Sequence, residues 1–274
     1  MAERRAGGEG QAAENSPNVI IDFHAHPGYS QNLGRLRREF RVALRAARHH
    51  RVDLICLNSL ADWTPSPAPA AVRKGNDAVQ ALMADHPKQV VGFCYVNPRS
   101  PEEAQREIER CIVEGGMAGI KLWLACKASD RRMDAIAERA ADLGVPLLQH
   151  AWSLAGGNGA NDSTPADVAA LAARHPETTI VMAHLTGAGE LGLAEIAPHE
   201  NVLVDTSGGE PEAGLVELAV KRLGAQRVIF ASDNPVRSYG SALGRVLGAK
   251  LATRERHLVL SGNARRLLAR RART

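Results

Sequence analysis

The most constraining feature of the sequence is a regular alternation of two kinds of segment, which begins at Asn18 and continues to the end of the chain. Short apolar runs, typical of buried strands, are separated by longer amphipathic or alanine- and arginine-rich segments, typical of helices. The eight apolar runs lie at residues 18–24, 52–58, 90–95, 119–123, 145–150, 179–184, 202–207 and 227–233. Because alternating strands and helices form parallel sheets, the pattern predicts an α/β fold.

Helical segments complete eight strand–helix units. They lie near residues 33–50, 72–86, 101–114, 130–143, 165–175, 189–197, 211–223 and 239–249. Eight units are the number that closes a TIM (β/α)8 barrel. From about Thr253, two further short helices with a break at Gly262-Asn263 are expected to cap the barrel.

An open, doubly wound sheet would give the same alternation. Such sheets often carry a G-x-G-x-x-G phosphate loop, but none follows the first predicted strand. The glycine-rich stretch at 156–161 (GGNGAN) follows the fifth run and lacks the lysine and serine or threonine of a P-loop. We therefore favour the barrel and interpret this stretch as a loop.

Composition is ordinary for one globular unit. Of 274 residues, 45% are hydrophobic and 23% charged, and no composition shift marks a second domain. We expect residues 18–274 to form a single barrel and residues 1–17, which are charged and glycine-rich, to form a flexible tail. The chain has no signal-peptide pattern, no run long enough to span a membrane and no C-x-x-C pair, so we expect a cytoplasmic protein with reduced thiols.

The net charge of +4 includes five arginines among the last ten residues. A basic cluster can bind nucleic acid, but no recognition helix or aromatic-basic pattern accompanies this one. We interpret it as a solvated tail and expect a small-molecule partner rather than nucleic acid or membrane. The sequence leaves open whether the chain forms a homo-oligomer.

Side chains that bind metals stand at the carboxyl ends of several predicted strands. They are His24 and His26 on the first, His150 on the fifth, His184 on the sixth and Asp233 on the eighth. In a barrel these ends meet at one rim, where active sites are built. Because side chains on a strand repeat every two residues, both imidazoles of the H-x-H pair point to the same side. A further imidazole and a carboxylate would complete a site suited to Zn²⁺ and related ions.

Six short motifs, taken in order along the chain, resemble those of a known family. DFHAH, GIKLW, PLLQHAW, VMAHLTG, SDNP and SGNARRLL, spanning residues 19–268, together resemble the amidohydrolase-related branch of the amidohydrolase superfamily. The resemblance implies a distorted TIM barrel with a mononuclear, often zinc-dependent site. It also implies that His24, His26, His150 and Asp233 are the metal ligands, and that His184 is the catalytic histidine.

The chemistry expected of such a site is hydrolysis by activated water. A divalent metal lowers the pKa of its water toward about 7. Asp233 would accept the proton as water attacks a carbonyl carbon, and His184 would polarise the carbonyl or carry protons to the leaving group. We hypothesise a hydrolase of a C–N or C–O bond, of the amide, lactone or ester type.

The role of Lys121, in the GIKLW motif, decides whether this site would hold one metal or two. Some members of the superfamily carry a carboxylated lysine at this position that bridges two metals. The alternative is a lysine that pairs with a substrate anion or with Asp233, helped by the ease with which a buried lysine shifts its pKa. Because the resembled branch is usually mononuclear, we favour one metal and the pairing role.

The remaining rim residues concern the substrate. Trp123, Trp152, Arg237 and Tyr239 follow predicted strands. They could form an aromatic wall and an anion clamp for a ring-containing or carboxylated ligand, although packing explains the two tryptophans equally well.

Two other functions remain open. Similar ligand sets serve metal-dependent decarboxylases of aromatic or unsaturated acids. The loop after the first strand, PGYSQNLG, is short, and on that ground we favour hydrolysis over decarboxylation. The second alternative is a catalytically silent barrel that binds a metal or ligand, against which the presence of both His184 and Asp233 argues.

Overall fold

The computed structural model describes residues 19–154, 156–209 and 212–269. The tail expected at residues 1–17 lies outside this range. Eight parallel strands form one sheet in sequence order. They are β1 (Ile20–Ala25), β2 (Val52–Asn58), β3 (Val90–Tyr95), β4 (Ile120–Leu122), β5 (Leu147–Gln149), β6 (Ile180–Met182), β7 (Val202–Asp205) and β8 (Val228–Ile229).

A helix follows every strand. The helices are α1 (Leu33–His49), α2 (Pro69–Asp85), α3 (Pro101–Ile108), α4 (Asp134–Asp142), α5 (Pro165–Arg174), α6 (Leu185–Ile196), α7 (Leu215–Leu223), α8 (Tyr239–Leu247), α9 (Thr253–His257) and α10 (Asn263–Ala269). Proline occupies the first position of α2, α3 and α5, where a missing amide proton costs nothing. Within the described ranges, every helix is too short or too polar to cross a membrane.

Backbone hydrogen bonds between β1 and the segment that begins with β8 close the sheet into a ring. The donor and acceptor pairs are Phe23 N to Phe230 O (3.0 Å), Asp233 N to His24 O (2.8 Å) and His26 N to Asn234 O (2.7 Å). The predicted TIM barrel is therefore confirmed. Regular strand geometry ends at Ile229, short of the predicted residue 233, but the hydrogen bonds to β1 continue through that segment.

Large apolar side chains fill the inside of the ring. Phe23 and Phe93 meet edge to face, with ring centroids 5.1 Å apart. Ile21, Val181, Leu203 and Ile229 join them from other strands, so the interior is a packed core rather than a pore. The opposite faces of the strands pack against the apolar faces of the helices.

A β-bulge lies in β1 between Asp22 and Ala25, at the first histidine of the H-x-H pair. Residues 22–25 of β1 oppose only residues 55–57 of β2, so β1 contains one extra residue there. Phe23 packs in the interior, and His24 beside it also reaches interior side chains. The bulge thus turns two consecutive side chains inward, the kind of redirection that bulges provide near active sites.

The two capping helices form as expected, but the chain does not break between them. A π-helical segment, Leu258–Gly262, connects α9 directly to α10. The buried amide of Asn263 donates to the carbonyls of Ala225 and Val228, each at 2.7 Å, and ties this cap to the start of β8. A second difference concerns α6, which begins at Leu185 rather than near 189 and is kinked at Gly189, where φ is 60°.

The Arg227 guanidinium, at the amino end of β8, donates hydrogen bonds to several backbone carbonyls. It donates to Ile196, Ala197, His199 and Val202, at distances between 2.7 and 3.0 Å. These carbonyls lie at the end of α6 and at the start of β7, so one side chain ties both elements to the start of β8.

We predict that Arg227→Met lowers the free energy of unfolding by about 2–4 kcal/mol, because several carbonyls lose their donor. Urea denaturation followed by circular dichroism measures the change. Arg222→Met is the matched control. Arg222 is exposed, and among the described residues its side chain pairs with Glu190 alone, at 3.0 Å, so its loss should cost less than about 1 kcal/mol. Equal effects of the two substitutions would contradict the assignment.

Candidate metal centre

Three candidate ligand atoms converge at the rim formed by the carboxyl end of β1 and the segment after β8. His26 Nε2 lies 3.1 Å from Asp233 Oδ1, and His24 Nε2 lies 3.7 Å from the same oxygen. All three side chains are buried, and their ligand atoms lie within 4.8 Å of one another. These residues can reach one cation.

Hydrogen bonds on the far side of the two imidazoles show that the donor set fits a metal. His26 Nδ1 lies 3.0 Å from the Asn58 carbonyl oxygen, and His24 Nδ1 lies 2.9 Å from Asp205 Oδ2. Both oxygens only accept, so each ring is protonated on Nδ1 and presents an unprotonated Nε2. His26 Nε2 and Asp233 Oδ1 are then two acceptors 3.1 Å apart, an arrangement that calls for a cation between them. Imidazole nitrogens with a carboxylate oxygen suit Zn²⁺ and related divalent ions.

Two of the rim residues have unusual backbone conformations. His184 has φ of 73° and Asp233 has φ of 60°, both in the left-handed region that non-glycine residues rarely adopt. Each costs on the order of 1–3 kcal/mol and persists only where the surroundings impose it. Two backbone hydrogen bonds hold Asp233 in this conformation. Its amide donates to the His24 carbonyl at 2.8 Å, and the Arg237 amide donates to the Asp233 carbonyl at 3.1 Å.

His150 and His184 form a pair next to the three converging residues. His184 Nε2 lies 3.0 Å from His150 Nδ1, and the two rings meet edge to face. In the part of the chain that the structure describes, the ligand-atom group of His24, His26 and Asp233 does not include His150. The structure therefore places His150 in contact with His184.

Burial keeps the imidazoles of His24, His150 and His184 neutral. It is the largest influence on His24, where the nearby Lys121 ammonium acts in the same direction and the pKa falls to about 3. Burial also lowers the pKa of His184 and holds that of His150 well below its usual range. Neutral imidazole is the form that binds metal.

The two rim carboxylates stay ionised in spite of burial. Burial acts to raise the pKa of Asp233, but the close contact with His26 and the proximity of His184 and His24 outweigh it and hold this pKa well below its usual range. At Asp205 the contact with His24 likewise outweighs burial and brings the pKa to about 2. Both groups are therefore acceptors at neutral pH.

Asp205 is a site residue that sequence reasoning missed. It ends β7, is fully buried, and binds His24 as described above. Its Oδ1 also accepts the backbone amide of His184 at 2.9 Å. A signal was available, because VLVDTS places a carboxylate at a strand end just as the eighth run places Asp233.

Lys121 points into the same centre. Its side chain is buried, and Nζ donates to His24 Nε2 at 3.1 Å. Burial lowers the pKa of this amine to about 8, against the opposing influence of Asp233 and Asp205. No carboxylate among the described residues lies within salt-bridge distance of it, so the amine can serve an anionic group of a ligand.

Aromatic rings line the rim. Trp152 lies 5.2 Å from the His184 ring and stacks at 6.5 Å on His150, and it packs so closely on Gly187 that a side chain there would overlap it. Trp123 contacts Trp63 at 6.1 Å. Both predicted tryptophans therefore lie near the centre.

Trp63, which the sequence analysis did not single out, is closer still. Its ring meets those of His26 at 5.3 Å and Tyr29 at 4.9 Å, and its φ of 62° is again left-handed. It follows β2 in a stretch, SLADW, that carries no strand or motif signal. Only the fold brings it over His26.

The remaining two pocket candidates differ in their surroundings. Arg237 is exposed, close to the segment that carries Asp233. Tyr239 is buried in the core between barrel and helices, where burial and the nearby Asp22 carboxyl raise the pKa of its hydroxyl well above the usual value.

Comparison with known proteins identifies a family and a shared fold. The amidohydrolase family model matches residues 21–270. A sequence search of curated proteins finds no match.

Several solved structures share the fold at low sequence identity. The 2,6-dihydroxybenzoate decarboxylase from Rhizobium has a TM-score of 0.72 and 17% identity, covering 92% of this chain and 98% of that one. The 5-carboxyvanillate decarboxylase from Sphingomonas paucimobilis has a TM-score of 0.71 and 16% identity, covering 92% and 99%. A dihydroxybenzoic acid decarboxylase from Polaromonas, solved with manganese and 2-nitroresorcinol, has a TM-score of 0.71 and 19% identity, covering 92% and 97%.

We predict that the chain binds one equivalent of a divalent transition metal and that chelation destabilises it. At a metal concentration one hundred times Kd, linkage adds about 2.7 kcal/mol to the free energy of unfolding. Elemental analysis and thermal melts with and without chelator measure both effects. His26→Ala should abolish the stabilisation, whereas His49→Ala, at the exposed end of α1, should retain it. Two ions per chain would contradict the mononuclear site.

Proposed function

The chain belongs to the amidohydrolase family, and we propose that it is a metal-dependent hydrolase that cleaves a C–N or C–O bond of a small organic substrate. The match indicates a metal-dependent enzyme and agrees with the family resemblance of the sequence motifs. The observation that carries the proposal is the convergence of His24 Nε2, His26 Nε2 and Asp233 Oδ1 beside the His150–His184 pair.

We assign one divalent metal to His24, His26, His150 and Asp233. Zinc is our choice because imidazole nitrogens and carboxylate oxygens are the ligands that many catalytic zinc sites use. Manganese, which the Polaromonas decarboxylase binds, is the alternative that metal analysis would distinguish. When bound, the metal supplies Lewis-acid catalysis, which acidifies water and polarises a substrate oxygen.

The protein groups then divide the proton transfers. Asp233 is ionised and accepts the proton of the attacking water through a carboxylate oxygen. His184, which the charge on Asp233 influences directly, accepts that proton and carries it to the leaving group. Both residues are held in conformations that a flexible loop would not maintain.

Lys121 supports hydrolysis through its position. A buried amine without a carboxylate partner can stabilise the negative charge that develops on a substrate carbonyl oxygen, or bind a substrate carboxylate. We therefore assign Lys121 to substrate contact rather than to a carbamate that bridges two metals. Trp123 and Trp152 form the wall of the substrate pocket in this proposal, and Arg237 binds an anionic group at its entrance.

Decarboxylation of an aromatic acid is the second candidate. The aromatic lining of the rim, formed by Trp63, Trp123 and Trp152, is the observation that favours it, because flat rings stack on such surfaces. Several proteins that share the fold are described as aromatic acid decarboxylases. Hydrolysis remains our first choice because an ionised Asp233 suits acceptance of a proton from water.

A substrate panel separates the candidates. Metal-loaded protein is incubated with lactones, amides and esters, and with hydroxylated aromatic acids under CO₂ detection. We expect ring opening or cleavage among the first group. Release of CO₂ alone would replace the hydrolase proposal with the decarboxylase. Saturable ligand binding without conversion would identify a silent binding barrel.

We predict that His184→Asn retains the metal but lowers kcat by about 10²–10⁴-fold, the usual contribution of a general acid or base. The metal content and kcat of the variant are measured on the best substrate of the panel. His199→Asn serves as the control, because within the described part of the chain His199 bonds to another element through its backbone carbonyl and not through its ring. Unchanged kcat in His184→Asn would remove this residue from the mechanism.

A further inference from the structure

A chain of hydrogen bonds behind the candidate metal centre ends at the same carboxylate that holds His24. Asp205 Oδ2 accepts the Nδ1 proton of His24 at 2.9 Å. Asp205 Oδ1 accepts the amide protons of His184 and Ser207, both at 2.9 Å, and lies 2.5 Å from Ser207 Oγ. One fully buried carboxylate thus organises two strands and the turn after β7.

The direction of the bond between Ser207 and Asp205 is fixed by the available protons. A carboxylate can only accept, so at 2.5 Å the single hydroxyl proton of Ser207 lies between the two oxygens. If the hydroxyl turned toward His184, two oxygen acceptors would face each other at that distance. Ser207 therefore offers only lone pairs to its other neighbour.

The proton positions on the next two rings follow. His184 Nδ1 lies 2.9 Å from Ser207 Oγ and must donate, so a neutral His184 has its lone pair on Nε2. His150 Nδ1 lies 3.0 Å from that nitrogen and must donate in turn. His150 is left with an unprotonated Nε2, which is the form that a metal ligand requires.

We propose that Asp205 and Ser207 are positioning residues that set the tautomers of the rim histidines. Asp205 acts on His24 directly, whereas Ser207 acts on His184 and, through it, on His150. All three rings are held with the proton on Nδ1. Their Nε2 atoms are thereby unprotonated, on His24 and His150 to bind the metal and on His184 to accept a proton.

The purpose of this assignment rests on the proposed function, but the tautomers follow from contacts between protein side chains and can be observed in protein from which metal has been removed. Long-range ¹H–¹⁵N correlation spectra of the full chain labelled with ¹⁵N-histidine distinguish protonated from unprotonated ring nitrogens. Single His→Asn variants assign the signals. We expect His24, His184 and His150 to be protonated on Nδ1. An Nε2-protonated His184 or His150 in the unsubstituted chain would overturn the proposal.

Ser207→Ala tests the relay itself. We expect His184 and His150 to lose their single tautomer while His24 keeps its own, because His24 contacts Asp205 without the serine. Zn²⁺ affinity, measured by chelator competition, should fall about 10–100-fold, as for other groups that orient a metal ligand. Ser207→Thr, which keeps the hydroxyl, should restore the tautomers. Unaltered histidine spectra in Ser207→Ala would refute the relay.

Thr206→Val is the matched control. It removes a hydroxyl from the adjacent position, whose partners are the amide and carbonyl of Ala231 rather than any histidine. We expect its stability to fall while the histidine tautomers stay as in the unsubstituted chain. If Thr206→Val changed the tautomers as much as Ser207→Ala does, the effect would come from altered packing rather than from the Ser207 hydroxyl, and the proposal would be contradicted.

The results of these experiments can support or refute the tautomer proposal independently of the proposed hydrolase function. Expected tautomers in a chain without turnover on any substrate would leave the relay standing and remove the hydrolase. Turnover with Nε2-protonated His184 would remove the relay alone.

Discussion

The candidate centre depends on the backbone hydrogen bonds that join the first strand of the barrel to the segment after the last. The Asp233 amide donates to the His24 carbonyl at 2.8 Å, and this bond both closes the ring and sets two candidate ligands side by side. Parallel strands in a closed ring bring all their carboxyl ends to one rim. For that reason His26 and Asp233, which are 207 positions apart, lie within hydrogen-bond distance.

A regular barrel alone would not produce this arrangement. The bulge in β1 turns His24 inward beside Phe23, and His184 and Asp233 take left-handed conformations that cost on the order of 1–3 kcal/mol each. Hydrogen bonds to buried carboxylates and carbonyls hold these irregularities. They leave the imidazole nitrogens fixed and facing inward, so little reorganisation is needed when a cation or a substrate binds.

The fold is shared by proteins with different chemistry, so function has to be argued from the site. Family membership indicates a metal-dependent enzyme. Two features of the rim point in different directions: the buried amine of Lys121 suits charge developing on a carbonyl oxygen, whereas Trp63 and its aromatic neighbours suit a flat ring. The ionised state of Asp233 makes it an acceptor of protons, and this is the physical ground on which we place hydrolysis before decarboxylation.

The sequence by itself determined the eight strand–helix units, the barrel and the strand ends that carry His24, His26 and Asp233, because these follow from local periodicity and from the common direction of parallel strands. It also indicated the family. Only the tertiary structure decided that His150 contacts His184, that Asp205 binds His24, that Trp63 covers His26 and that Tyr239 lies in the core. The reason is that a strand pattern states which side a residue faces, whereas the pairing of two particular atoms depends on bulges, left-handed residues and packing between segments distant in the chain.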